Sequence, residues 1–191
     1  MSTVLERSRV DVRAGWPRWL ADLFGSVSRP RWRRLPLTLQ AQLQSQWCWA
    51  ACSTSVAHFF DASSGWTQCG VANAELAQTG CCDDGSTPAC NQPWYLDRAL
   101  TRTGNFASRS TGPASMSAIR SQLSAGRPIG ARIGWAGGGG HFVTISGCLD
   151  DATGVLEVRD PIYGTSEISL ANFSSSYQGS GSWTHTYFTR A

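Results

Sequence analysis

Apolar residues change their period near Gly126, helical before it and alternating after it. Residues 48–60, CWAACSTSVAHFF, set Cys48, Cys52, Val56 and Phe59 or Phe60 on one stripe at helical spacing, which predicts a buried helix. Shorter helical pieces are predicted around ANAELAQ (72–78), within WYLDRALTRTG (94–104) and over SMSAIRSQLS (115–124), the last ended by Gly126. Beyond it the pattern predicts strands at 128–135, 141–148, 155–160, 166–170 and 182–190, separated by the turn signals GGGG, LDDATG, PIYG and YQGSGS. No internal repeat is seen. Helices first and an antiparallel sheet afterwards predict an α+β domain of two lobes with a cleft between them.

The first residues read differently. Trp16, Leu20, Phe24 and Val27 lie at near-helical spacing before a break at Pro30 and the basic cluster Arg31, Arg33 and Arg34. This predicts an arm, residues 1–35, made of one short amphipathic helix and an extended linker, ahead of a domain over 36–191. Charge follows the same division. Residues 1–34 hold eight Arg against Glu6, Asp11 and Asp22, whereas the remainder holds eight Arg against ten acids. The arm reads as a pro-segment over the cleft, removed by self-processing; as an export or partner signal; as a contact for an anionic surface; or as a solvated tail.

Composition narrows the classes of function. All 16 basic residues are Arg, which excludes Schiff-base chemistry on lysine and a P-loop lysine. The body has no basic stripe or binding motif, so no nucleic-acid partner is expected. Among the 191 residues no run of about 18 apolar positions predicts a membrane span. The opening MSTVLERSRV lacks the apolar core of a secretory signal.

Seven cysteines stand at 48, 52, 69, 81, 82, 90 and 148. The odd number sets one apart, and if six pair, adjacent Cys81 and Cys82 take different partners. No well-spaced CxxC or Cys/His pairs appear, so neither a metal nor another cofactor is expected.

Cys48 is the candidate nucleophile. The polar stretch ends at Trp47, which puts Cys48 in the first helical turn, where unpaired N–H groups and the helix dipole favour a thiolate. Cys52, one turn deeper, reads as structural. Among the histidines, His58 lies ten residues along the same helix, out of reach, and His185 alternates with Trp183 and Tyr187 on the last strand, facing a sheet surface. His141 opens a strand directly after four glycines, at a cleft edge.

If 141–148 and 155–160 pair around LDDATG, opposed residue numbers sum to about 301–303, which brings His141 to Asp160 or a near neighbour. Parity puts His141, Val143 and Ile145 on one face with Asp160, Val158 and Leu156. Nucleophile, acid–base group and orienting carboxylate make a Cys-His-Asp triad for acyl transfer. The backbone N–H of Cys48 supplies one oxyanion donor, and Gln42, Gln44 and Gln46 are all near enough to supply a second.

The segment from Gln42 to Cys52 with its Trp-Cys-Trp-Ala-Ala core, then Gly-Gly-Gly-His-Phe-Val at 138–143 and Asp160-Pro161-Ile162-Tyr163-Gly164, resembles the bacterial papain-like cysteine peptidases. The resemblance is to plant-pathogen effector proteases and, more remotely, to bacteriocin-leader peptidases, and it covers about 36–190. It implies a papain-like two-lobe fold, with an N-terminal helical lobe and a C-terminal antiparallel β-sheet lobe. It also implies Gln42, six positions before the nucleophile, as the oxyanion-hole side chain. The Cys-rich stretch at 69–90 and the Arg-rich arm lie outside the shared motifs.

The activity this implies is hydrolysis of peptide bonds through a thioester, on a protein or peptide substrate, by a secreted bacterial effector or toxin acting in an extracellular or host compartment. The same triad would also serve an acyltransferase, a transglutaminase or a deamidase, because it sets the reaction type and leaves the acceptor open. A disulfide-stapled binding module without turnover is the reading from another class.

Overall fold

The computed structural model describes residues 31–149, 151 and 153–191. The helix expected over Trp16 to Val27 lies outside the described residues.

Helix α1, Cys48–Phe60, forms where the stripe predicted it, but burial extends around its whole circumference from Cys48 to Ala57. Small residues make this possible. Ala50, Ala51, Ser53 and Ser55 let neighbouring segments approach from every side, and Ser55 Oγ donates to Ala51 O at 2.7 Å while accepting from Gln40 N. Helices α2, Gln68–Leu76, and α3, Leu96–Arg102, pack beside it with Val71, Ala72, Leu96, Ala99 and Leu100 fully buried. Thr67 caps α2 by accepting from Gly70 N at 3.0 Å.

The sheet is wholly antiparallel. It comprises β1 (Trp32–Arg34), β2 (Phe106–Thr111), β3 (Ile129–Trp135), β4 (Gly140–Leu149), β5 (Val155–Asp160), β6 (Gly164–Ser169) and β7 (Gly181–Thr189). The order is β2-β7-β3-β4-β5-β6, with β1 pairing the far end of β4. Alternation divides the side chains between two cores. Phe142 and Tyr187 join α1–α3, whereas Val143, Ile145, Val158 and Trp183 meet α4 (Met116–Ser124) and α5 (Leu170–Ser175) through Ile119, Leu123 and Phe173. This is the α+β arrangement with an N-terminal helical lobe and a C-terminal antiparallel sheet lobe.

Three elements depart from the sequence reading. The basic cluster taken as linker is β1, whose Arg33 opposes Cys148. Its close approach uses Gly147, where a Cβ would come within 3.0 Å of Arg33 O. Arg34 Nε then pairs with buried Glu157 at 2.7 Å, and its Nη2 bonds Glu167. Strand β2 and helix α5 were not anticipated. Disulfides are fewer than six paired cysteines would make: Cys69 bridges Cys82 and Cys81 bridges Cys90, leaving Cys48, Cys52 and Cys148 outside them. Adjacent Cys81 and Cys82 do take different partners.

Candidate active site

Trp47 precedes α1 with non-helical dihedrals and no side-chain cap, so the first-turn N–H groups around Cys48 take no partner from it. The turn before the helix is anchored from outside. Trp47 Nε1 donates to Cys90 O at 2.8 Å, Trp49 Nε1 to Gln92 O at 3.0 Å, and Gln46 N to Asn91 Oδ1 at 2.9 Å. Gly85 closes over the Trp47 ring, where a Cβ would lie 2.7 Å from the indole. The disulfide-closed stretch is therefore a clamp on the start of α1.

His141 is the second residue of β4, opposite Ile133 on β3. Its Nε2 meets Asp160 Oδ1 at 2.9 Å, and Cys48 is near enough to the imidazole to interact with it. With Nε2 on the carboxylate, Nδ1 is the ring nitrogen left for the sulfur. Trp135 stacks on the ring at 6.1 Å between centroids, and Tyr163 meets it edge-on at 6.4 Å.

The register corrects one detail. β4 and β5 pair as Thr144–Arg159 and Ile145–Val158, then slip by one between Ile145 and Gly147. Continued one step toward His141, that register sets Asp160 against Val143. His141 therefore reaches Asp160 diagonally, across the shared face that parity predicted.

Asp160 has a full complement of donors. Oδ1 accepts from Ile162 N at 2.7 Å and Tyr163 N at 3.0 Å besides His141, and Oδ2 accepts from Tyr177 Oη–H at 2.8 Å. Burial alone would raise its pKa, but the His141 bond and charge, with the two backbone N–H groups, hold it below the ordinary carboxylate value. Burial likewise opposes protonation of His141. The bond to Asp160, the interaction with Cys48 and the charges of both outweigh it, and the imidazole pKa is raised to about 9. Tyr177, buried beside the carboxylate, is pushed up.

Cys52 is fully buried and donates to Phe142 O at 3.4 Å. Burial first, then the neighbouring Cys48, holds its thiol well above the ordinary value. His58 bonds Trp66 O at 2.9 Å, away from the site. His185 lines a pocket beside Gly139 and Gly140 together with Tyr187, more enclosed than the sheet surface expected for it.

Gln42 lies beside Asp160-Pro161, its N–H donating to Pro161 O at 3.1 Å. Its side-chain Nε2 donates to both Gln44 O and Ser45 O at 2.9 Å, and its Oε1 is buried without a partner. Both amide hydrogens thus hold the Gln44-Ser45 turn rather than an open site. Sequence reasoning missed Tyr177 and Trp135. Nothing local marks Tyr177, whereas the short Gly hairpin could have put Trp135 beside His141. Among the described residues no group of three or more His, Cys, Asp or Glu could hold a metal ion, and no helix there is long and apolar enough to cross a membrane.

A family model described as papain-like cysteine protease AvrRpt2 matches residues 30–178. No curated protein matches the chain. Among solved structures, a double glycine motif protease from an AMS/PCAT transporter, in complex with its leader peptide, is 17% identical, with 83% of this chain and 94% of that one covered and a TM-score of 0.47. The Pseudomonas avirulence protein AvrPphB is 13% identical, with 81% and 98% covered and a TM-score of 0.39.

Proposed function

The chain belongs to the family of the papain-like cysteine protease AvrRpt2 and is a papain-like cysteine protease, and from that premise we propose that Cys48, His141 and Asp160 are its catalytic triad. The observation that carries the assignment is the hydrogen-bonded line from His141 to Asp160 and Tyr177, with Cys48 interacting with the imidazole at its other end. Cys48 sulfur attacks the scissile carbonyl, forming the C–S bond, and the oxyanion lies against the Cys48 N–H at the uncapped helix start. His141 delivers its proton to the leaving amine as the C–N bond breaks. It then takes a proton from the water that hydrolyses the thioester, and Asp160 keeps the ring oriented throughout.

Gln42 is proposed as the second oxyanion donor. One of its two N–H groups would exchange a carbonyl of the Gln44-Ser45 turn for the substrate oxygen. Two disulfides suit an oxidising compartment, which favours a secreted protein delivered as an effector. The arm is proposed to shield the cleft until the enzyme trims it.

A host lysate treated with the wild type and analysed for new N-termini should show cleavage sites that Cys48→Ala does not produce. Absence of any such sites, together with no labelling of Cys48 by an epoxide thiol inhibitor, removes the reading. Intact masses should assign the two purified proteins different N-termini, and masses that differ only by the substituted side chain exclude self-trimming.

The pH profile carries a further prediction. Leaving-group protonation needs the imidazolium, so kcat/KM should fall as pH rises through about 9. The Asp160 bond and charge are among the causes that raise His141, so Asp160→Asn should move this alkaline limb to lower pH. A limb unmoved by that change would uncouple Asp160 from the histidine.

A further inference from the structure

At Gly140 and Phe142, the residues on either side of His141, the two lobes border a partly open pocket of about 440 Å³. One wall is Pro93-Trp94-Tyr95, the segment that follows the disulfide clamp; the other is Phe142, Tyr187 and His185 from the sheet, and Gly139 and Gly140 reach its edge. The pocket is joined to the site through Gly140 and Phe142, the neighbours of His141 in β4, rather than lined by the triad itself, and such a recess receives a side chain of the substrate.

Its charge runs against that of the body. Arg132 projects from β3, and its guanidinium lies flat on Gly140, where a Cβ would come within 2.6 Å of Nη2. The missing side chain one residue before His141 is what seats the guanidinium there. Nη1 donates to Thr184 Oγ1 at 3.1 Å and Nη2 to Gly139 O at 3.3 Å. These neutral acceptors orient the fork without neutralising it, and among the described residues no carboxylate pairs with Arg132.

Two more arginines stand near. Arg109 lines the same pocket and reaches Asp97 only at 3.4 Å, and Arg98 lies over the Trp94 and Tyr95 rings at 5.6 and 5.2 Å. Two acids stand beside this group: Asp97, and Glu75, which accepts from Trp94 Nε1 at 2.9 Å and is itself paired with Arg102. Burial, then the charges of Arg132 and Arg109, lower the His185 pKa, a second sign of a positive field.

We propose that Arg132 makes this pocket a receptor for the carboxylate of an Asp or Glu side chain close to the scissile bond of the peptide substrate. The proposal rests on the peptidase reading above and deepens it by naming the substrate class. A fixed, partly enclosed fork suits a carboxylate bidentately, and a neutral amide of the same shape loses the charge-assisted part of that bond. Trp94 and Tyr187 exclude water from the stem of the same side chain.

The test uses the full chain and peptidyl epoxides that carry Glu, Gln or Lys one, two or three residues from the reactive group. The rate of Cys48 labelling is read by intact mass and peptide mapping. At one of these positions Glu is expected to label about tenfold faster than Gln, with Lys slowest. The advantage should shrink when salt is raised from about 0.05 to 0.5 M.

Arg132→Gln should bring the Glu-to-Gln ratio to within about twofold. Because both probes meet the same sample, the ratio is independent of how much of a variant is folded. Where Arg132→Gln yields no folded protein, Arg132→Lys keeps the charge but loses the fork, and should lower the ratio severalfold. Equal labelling by Glu and Gln at all three positions, or a ratio that survives these substitutions, overturns the proposal while leaving the peptidase intact. Failure of every probe to label Cys48 overturns the assignment of Cys48 itself, and this proposal with it.

Discussion

Cys48→Ala and His141→Ala are each expected to lower kcat/KM for a cleaved peptide by a factor of roughly 10⁴ to 10⁶, the loss that follows when one member of a nucleophile–base pair is removed. Neither change should unfold the protein. Cys48 gives up only a sulfur at the edge of the helical core. Removal of His141 leaves Asp160 with three donors, Ile162 N, Tyr163 N and Tyr177 Oη–H. The carboxylate therefore stays satisfied, which is the condition for a buried charge to remain tolerable. Steady-state kinetics with thermal unfolding on the same samples checks both halves of the expectation. Activity in Cys48→Ala above about one per cent of wild type would move the nucleophile elsewhere. Cys52 is an unsuitable replacement, because its raised pKa keeps it a thiol.

The two disulfides should differ sharply in what they do for turnover. Closing a short loop such as 81–90 constrains the unfolded chain by about 3 kcal/mol. Its particular value here is mechanical. Cys90 O, Asn91 Oδ1 and Gln92 O hold the residues on either side of Cys48, and Asn91 Nδ2 holds Ser45 Oγ at 2.9 Å. Replacing Cys81 and Cys90 together by serine should cut kcat/KM at least about tenfold, since a displacement of about 1 Å at the nucleophile can cost 10²-fold. The Cys69/Cys82 pair spans α2 and the exposed end of the same stretch, so its double serine variant should stay within about twofold of wild type. Titration with a thiol reductant gives an independent check. Exposed Cys82 should become alkylatable first with little effect, and activity should fall only when buried Cys81 and Cys90 do. Equal losses in the two double variants would detach the clamp from the reaction.

Much of this arrangement was legible in the chain because a few strong signals agree. An apolar stripe beginning at Cys48, a strand opening directly after four glycines, and a period-2 pattern on both sides of LDDATG were enough to bring Cys48, His141 and Asp160 to one place. What escaped notice shares a physical character. Strand β1 is three residues, two of them Arg, and its pairing depends on Gly147 far along the chain. Strand β2 is an exposed edge with no alternation to read, and α5 is held by one buried residue, Phe173. The bulge in β4 shifts the hairpin sum without leaving a mark in composition. Tyr177 reaches Asp160 through tertiary packing alone, so no spacing rule finds it. Gln42 stands near the site as the family motif implies, yet both its amide hydrogens serve its own turn.

Strand β1 also limits how far the chain can be shortened. The rung from Trp32 to Arg34 completes the far end of β4, and Arg34 supplies a counter-charge to buried Glu157. A chain trimmed ahead of residue 31 would keep that rung in place. A cut at residue 36 would expose the backbone of Gly147, Cys148 and Leu149 and leave Glu157 with Arg159 and the Ser146 hydroxyl, so the position of a single cut would decide between an intact product and a frayed one.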